Sequence, residues 1–404
     1  ELHEVLRETL ACMTVYRSYV RAPVGEVSED DVAIVEAAVA CAKRHRPDLD
    51  ASAFDFLGDV LLLRVPGARE GELATRFQQL SAPTMAKGVE DTAFYVYERF
   101  AVLNEVGGEP LEFGTSVEAF HRANAEVAEC WPLTLLATST HDTKRSADVR
   151  ARLALLSEIP DLWTSAVERW SQRNERHWSG AAPDRNVEIL LYQTLMGAWP
   201  IEADRVVAYL EKACREMKEQ TSWTQPNAAY EESIFGFARA ILADADFVGD
   251  LQAFVAPLIA PGRSNALLQE LLKLTSPGVP DVYQGSELWD LSLVDPDNRR
   301  PVDFALRERL LHELRDGSIA EVVERADEGL PKLWLVRQAL AVRREIPEAF
   351  AAGGGYRPLW ATGSRAQHAI AYQRGERVIA LGTRLPMKLA GDWQGTFLEL
   401  PPGS

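Results

Sequence analysis

The chain has 404 residues, 47% of them hydrophobic, and a formal net charge of −17. That length and apolar content can furnish two or three domains with sizeable cores, which excludes a disordered chain. The acidic balance argues against nucleic acid or an anionic membrane as partner, since both are bound through clustered Lys and Arg, and it suits a neutral ligand such as a sugar.

Residues 1 to 80 read as helices. Leu2, Val5, Leu6 and Leu10 recur on one helical face, and because the chain enters this pattern at Glu1 without a Met it reads as a fragment. No leader pattern stands at that end, and no apolar run nears the ~20 residues needed to cross a bilayer, so the expected location is cytoplasmic. Ser28 is placed to cap a helix with Asp31 three positions on; Val32, Val35, Val39 and Ala42 mark its core-facing stripe, and Pro47 ends it. Leu57 to Val65 is apolar without a period that separates helix from strand. Tyr16, Arg17 and Tyr19 cluster in a turn, where ordinary packing is favoured over a functional role. Cys12, Cys41, Cys130 and Cys214 lie far apart with no Cys-x-x-Cys spacing. Neither a zinc site nor a disulfide framework is indicated, and no metal or cofactor is expected.

Residues 81 to 114 are broken by Pro83, Gly88, Gly107, Gly108, Pro110 and Gly114, and they hold Lys87, Glu90, Asp91, Tyr95 and Tyr97 close together. Loops that present groups to a ligand look like this, and so does a solvated, charge-paired loop. Leu133, Leu135, Leu136 and Ala137 then read as a short buried strand, apolar on both sides as in a parallel sheet covered by helices. Its carboxyl end is Thr140-His141-Asp142, and barrels of such strands keep their chemistry at that end. An adjacent imidazole and carboxylate can also simply satisfy a turn. Ser146 to Leu156 continues as a helix, with Val149, Leu153 and Leu156 on one face.

Residues 160 to 260 are mostly helical, with apolar stripes over Val187 to Trp199, Asp204 to Gln220, Glu231 to Leu242 and Phe247 to Ile259. The length marks an insertion rather than a barrel connection. Trp163, Trp170, Trp178, Trp199 and Trp223 stud it, and at helical spacing each is more often core than sugar platform. Leu267 to Leu274 leads into the rigid turn Ser276-Pro-Gly-Val-Pro280 and the polar Asp281-Val-Tyr-Gln-Gly285, the expected final barrel strand and its loop. From Gly353 the pattern alternates as strands do, at His368 to Tyr372, Arg377 to Leu381 and Thr396 to Leu400. Gly353-Gly354-Gly355 lacks the Gly-Lys-Ser/Thr of a phosphate loop and reads as a plain turn.

Three stretches carry a specific resemblance. The run Thr138-Ser-Thr-His-Asp-Thr-Lys-Arg-Ser-Ala-Asp-Val-Arg150 resembles the last conserved region of the alpha-amylase superfamily, in the form typical of maltooligosyl trehalose synthases. Met85-Ala-Lys-Gly-Val-Glu-Asp-Thr-Ala-Phe-Tyr95 with Leu103-Asn-Glu-Val-Gly-Gly108 is similar to the same family. So is Thr275-Ser-Pro-Gly-Val-Pro-Asp-Val-Tyr-Gln-Gly-Ser-Glu287 followed by Asp295-Pro-Asp-Asn-Arg-Arg-Pro-Val-Asp303.

The resemblance implies an α/β fold: part of a (β/α)8 TIM barrel with large helical insertions and a carboxyl-terminal antiparallel β domain. The expected division is a helical insertion over 1–80, barrel strands and helices over 81–159, a second helical insertion over 160–262, the final barrel unit over 263–345, and the β domain over 346–404, which stops short at Gly403-Ser404. The implied activity moves the reducing-end linkage of a maltooligosaccharide from alpha-1,4 to alpha,alpha-1,1; an alpha-glucan hydrolase and a non-catalytic carbohydrate-binding protein are the alternatives. Retaining enzymes need a nucleophilic carboxylate and an acid about 5 to 5.5 Å apart. His141 and Asp142 match the superfamily's hydroxyl-holding His and third carboxylate and are the catalytic candidates. Lys87, Glu90, Asp91, Tyr95, Lys144, Arg145 and Tyr283 are the candidate substrate contacts. The Arg-x-Asp pattern of the nucleophile has no match, Arg64-Val-Pro66 and Arg185-Asn-Val187 both failing, and no strand bearing the acid Glu is recognisable. An amino-terminal half of the same enzyme is therefore the expected partner, beside the maltooligosaccharide, and the chain alone is expected to be inactive.

Overall fold

A computed structural model describes residues 1–179, 183–315 and 317–401, so Gly403 and Ser404 lie outside it. The described chain is a helix-rich α/β protein that divides into two compact units, Glu1–Val96 with residues 216–218, and Tyr97–Arg215 with the remainder from Glu219.

The first unit packs four helices, α1 (Leu2–Ala11), α2 (Glu29–His45), α3 (Ala51–Leu61) and α4 (Ala68–Gly88). Ser28 caps α2 in a reciprocal box, its hydroxyl accepting from Asp31 N and the Asp31 carboxylate accepting from Ser28 N, each at 3.1 Å. Two residues before Pro47 the helix stops. The ambiguous run from Leu57 is helical as far as Leu61, because Asp50 caps α3 through Ser52 N and Phe54, Leu57 and Leu61 recur on the buried face. These side chains meet Val5, Val35, Ala38, Val39 and Phe77 in one core, each fully buried large residue contributing about 1.5–3 kcal/mol.

Residues 81 to 93 depart from expectation. Helix α4 runs through Pro83 to Gly88 and continues as a wide turn, Val89–Ala93, into the short helix Phe94–Val96, so Lys87, Glu90 and Tyr95 sit on helical backbone rather than a loop, and Asp91, at φ −103° and ψ 15°, marks a kink between the two. Tertiary bonds on the opposite face hold it: Gln78 Nε2 donates to Val20 O at 3.0 Å and Ser81 Oγ to Tyr16 O at 2.9 Å. Pro83 faces solvent, where the carbonyl it leaves without a helical donor can bind water.

In the second unit β1 (Leu135–Leu136) pairs in parallel with β2 (Val279–Pro280), Leu135 opposite Val279. The expectation of a buried strand fails: Leu133 is 59% and Leu135 77% exposed. Side chains alternate across a strand, and only the face of Leu136 is covered, by the turn before β2. Gly278 in that turn has φ +130°, and a Cβ there would stand 2.7 Å from Leu136 Cγ and 2.8 Å from Thr134 O, so only glycine lets the strands meet. Arg343, from the helix Leu330–Glu345, fastens the same turn by donating to Leu274 O and Gly278 O at 3.0 Å each.

The expected helices of residues 160 to 260 are present as Pro160–Asn174, Arg185–Ala198, Ala203–Met217, Ala228–Ala243 and Ala245–Val255. Trp170 is fully buried in an aromatic cluster with Trp163, Tyr192, Phe247 and Phe254, which makes it core, whereas Trp223 is exposed beneath Arg215. Towards the carboxyl end β3 (Arg357–Leu359), β5 (Ala369–Arg374) and β6 (Val378–Thr383) form an antiparallel sheet in the order β3-β5-β6, while β4 (Ala361–Thr362) pairs with β7 (Phe397–Leu398). Gly353 lies in a turn at φ +89°. No described helix is long and apolar enough to cross a membrane.

Candidate active site

Four residues beyond β1 the chain turns at Thr140-His141-Asp142 and enters the helix Ala147–Leu153. The turn is built from its own side chains. Thr140 Oγ1 accepts from Asp142 N at 3.2 Å, and Thr143 Oγ1 donates to Thr140 O at 3.0 Å. Asn298 braces it from the segment after β2, its Nδ2 donating to His141 O at 3.1 Å and Thr140 O at 3.4 Å. The backbone is satisfied by these groups, which leaves the His141 side chain exposed and Asp142 half-buried.

Behind the tip the residues are buried. Glu105 accepts from Lys144 N at 2.8 Å and Arg145 N at 3.3 Å, so one carboxylate holds the start of the descending segment. The Lys144 ammonium lies 3.8 Å from Asp142 Oδ1, the nearest cation to the candidate carboxylate among the described ion pairs. Arg145 donates to Tyr209 Oη at 2.8 Å and Ala101 O at 3.4 Å. Ser146 caps the helix through Val149 N, with Ser146 Oγ donating to Asp290 O at 2.5 Å. Inside the first turn Asp148 forms a buried pair with Lys332, at 2.9 and 3.0 Å, and accepts from Asp290 N at 2.7 Å.

The segment after β2 is equally fastened. Tyr283 Oη donates to Asn298 O at 3.4 Å, which ties this candidate to the residue that braces the tip. Asp297 takes Arg205 in a two-pronged pair, 2.8 Å on each oxygen, and accepts from Leu293 N at 2.8 Å. Burial pushes the Asp297 carboxyl up, but Arg205 and these hydrogen bonds outweigh it and hold it below the ordinary carboxylate range.

Of the predicted residues, His141, Asp142, Lys144, Arg145 and Tyr283 fall in this second unit, in or beside the braced turn. Lys87, Glu90, Asp91 and Tyr95 fall in the first, where Lys87 pairs with Asp91 one helical turn on and Tyr16 donates to Glu90. Glu90, Asp91 and Tyr95 are buried, while the Lys87 side chain is 71% exposed. Burial and the Glu90 carboxylate push the Tyr16 phenol up to about 12, so it stays a donor. Glu105 and Asn298 were not among the candidates. The signal for both was available, since each stands inside a motif segment, Leu103 to Gly108 and Asp295 to Asp303.

Glu98, near the start of this unit, is buried with Oε1 unpartnered among the described residues, and burial, helped to a lesser degree by the negative charges of Glu219 and Asp184, pushes its carboxyl up from 4.5 to about 7. A raised folded pKa means the carboxyl folds best neutral, so its contribution is intact below about 4.5 and is lost as pH rises through about 7. On the order of 2–3 kcal/mol should disappear between about pH 5 and pH 8. Glu98→Gln should remove that part of the pH dependence in urea midpoints, and parallel curves for both proteins would show that Glu98 ionises without cost.

No family model matches the chain. It is 42% identical over 351 residues to a putative maltooligosyl trehalose synthase of Mycobacterium tuberculosis, covering 85% of this chain and 43% of that protein. The solved structure of maltooligosyltrehalose synthase from Arthrobacter ramosus superposes with a TM-score of 0.86 at 40% identity, covering 99% of this chain and 50% of that one. A hypothetical maltooligosyl trehalose synthase from Sulfolobus tokodaii gives 0.76 at 28% identity, over 94% and 48%. The homologues and structural neighbours are thus maltooligosyl trehalose synthases, and the chain spans about half of their length.

Proposed function

We propose that the chain carries the sugar-holding part of a maltooligosyl trehalose synthase active site, in which the reducing-end alpha-1,4 linkage of a maltooligosaccharide becomes alpha,alpha-1,1. The observation that carries this reading is the tip itself. His141 and Asp142 stand past the carboxyl end of a parallel strand, their backbone satisfied by Thr140 and Asn298 and their side chains left accessible. That is the arrangement expected of groups that hold hydroxyls of a flattened sugar more tightly than those of the ground state. Lys144, Arg145 and Tyr283 back the tip, with Arg145 acting through its bonds to Tyr209 and Ala101. We read β1 and β2 as barrel strands, residues 160–262 as the insertion between them, and 346–404 as a β domain. Lys87 contributes a cation to sugar binding, held in place by Asp91.

Holding hydroxyls does not supply covalent attack at the sugar carbon. No nucleophile or acid of the family's pattern is recognisable in residues 1 to 404, and we propose that a further segment, of the kind the relatives have outside the span they share with this chain, supplies both. The purified chain should leave maltopentaose unchanged, and adding such a segment should yield a non-reducing, trehalose-capped product. In the complemented enzyme Lys87→Ala should raise KM about tenfold, the worth of a charged hydrogen bond. Conversion by the lone chain would place the nucleophile within it, free glucose or maltose as main product would mean a hydrolase, and unchanged Lys87→Ala kinetics would make that helix structural.

A further inference from the structure

Away from the sugar site, the two amino-terminal helices bring together four donor groups that no step above uses. Glu8 and Cys12 are four residues apart at the end of α1, and Cys41 and His45 are four apart in the last turn of α2, so each pair projects from one helical face. The helices pack through Val5, Val35, Ala38 and Ala42, which fixes those faces against each other. The sulfurs of Cys12 and Cys41 and a ring nitrogen of His45 all lie within 4.8 Å of one another. Cys12 Sγ is 3.7 Å from His45 Nδ1, and the Glu8 carboxylate reaches the same nitrogen at 3.4 Å.

We propose that Cys12, Cys41 and His45 form three ligands of a tetrahedral binding site for a borderline-soft divalent cation of the zinc type, with Glu8, 3.4 Å from the His45 ring nitrogen, beside it. In a tetrahedral zinc site, Zn–S of about 2.3 Å and Zn–N of about 2.0–2.1 Å separate a sulfur from a nitrogen by about 3.6 Å. The observed Cys12 to His45 separation is close to that edge. Two thiols and an imidazole select zinc over magnesium or calcium, which prefer oxygen ligands. The position is favourable too, since the carboxyl-terminal ends of both helices carry partial negative charge. On binding, the two thiol protons pass to solvent, two Zn–S bonds form, and no electron is transferred. Cys12 is buried, whereas Cys41 is half-buried and the His45 side chain 62% exposed, which gives the ion a route in. Spacing in the sequence concealed the site because its halves lie 33 residues apart.

The test uses the reduced 404-residue chain, loaded with zinc chloride and dialysed, with retained metal measured per chain. One zinc should stay bound, and cobalt(II) in its place should show thiolate charge-transfer and tetrahedral ligand-field bands. Cys41→Ser and the mostly exposed His45→Ala should each weaken zinc at least about tenfold in competition with a chromophoric chelator while leaving the circular dichroism unchanged. The proposal falls if the reduced chain retains no stoichiometric zinc, if both variants bind as tightly as wild type, or if cobalt shows only oxygen-ligand octahedral bands.

Discussion

Asp142→Asn is expected to lower kcat about 10²-fold or more in the complemented enzyme while leaving sugar affinity nearly unchanged. The substitution keeps the shape and one acceptor oxygen but removes the charge, which matters most when the sugar ring flattens and its hydroxyls become more acidic. Interactions stronger in that state than in the ground state act on kcat rather than on binding. The fold should tolerate the change, because Asp142 is half-exposed and the turn is held by Thr140, Thr143 and Asn298 rather than by this carboxylate. Steady-state kinetics on maltopentaose, with calorimetric binding of the same sugar to both proteins, separate the terms. A wild-type kcat in the variant would remove Asp142 from the chemistry, and a loss of affinity alone would make it a ground-state binder.

The largest stability effect should come from the pair beneath the tip. Asp148→Ala should destabilise the second unit by about 3–5 kcal/mol, because it strands the buried Lys332 ammonium without its carboxylate. Asp290 N would lose its acceptor as well, leaving Lys332 with Leu288 O at 3.4 Å. A buried pair is expensive to halve and far less so to replace whole. Asp148→Leu combined with Lys332→Met should therefore cost markedly less than either single change. Urea midpoints of the single and double variants decide this, and additive losses would show that the two groups stabilise the fold independently.

How much of this was legible in the sequence depended on how local its cause was. The cap at Ser28 and Asp31, the stop before Pro47 and the helix after Ser146 follow from neighbouring residues, and each is where its pattern puts it. The strand at Leu135 was legible as a strand but not in its burial, because which face is covered depends on β2, some 140 residues on. Pro83 and Gly88 read as breakers because local propensity disfavours both in a helix. What sustains α4 is non-local, the bonds from Gln78 and Ser81 to the segment around Tyr16. At the site the tip was legible as motif chemistry. The braces were not singled out although both stand inside motif segments, because Glu105 and Asn298 act on backbone groups of another segment, and motif membership alone does not say which distant backbone a side chain holds.

Gly278 acts on the site as a gauge. β1 and β2 each run on into a loop of the candidate site, His141 and Asp142 from one and Tyr283 from the other, and their backbones are hydrogen-bonded across at 2.8 Å on either side of the pair. Any side chain at 278 must move Leu136 or Thr134 O, and because Thr134 O is backbone of the facing strand, displacing it would wedge the two strands apart. The wedge would open the distance between the loops without altering a single group that faces them. Variation at this position is therefore a way of changing the span of the site at constant chemistry, and a search confined to the residues of the tip would pass over the one that sets it.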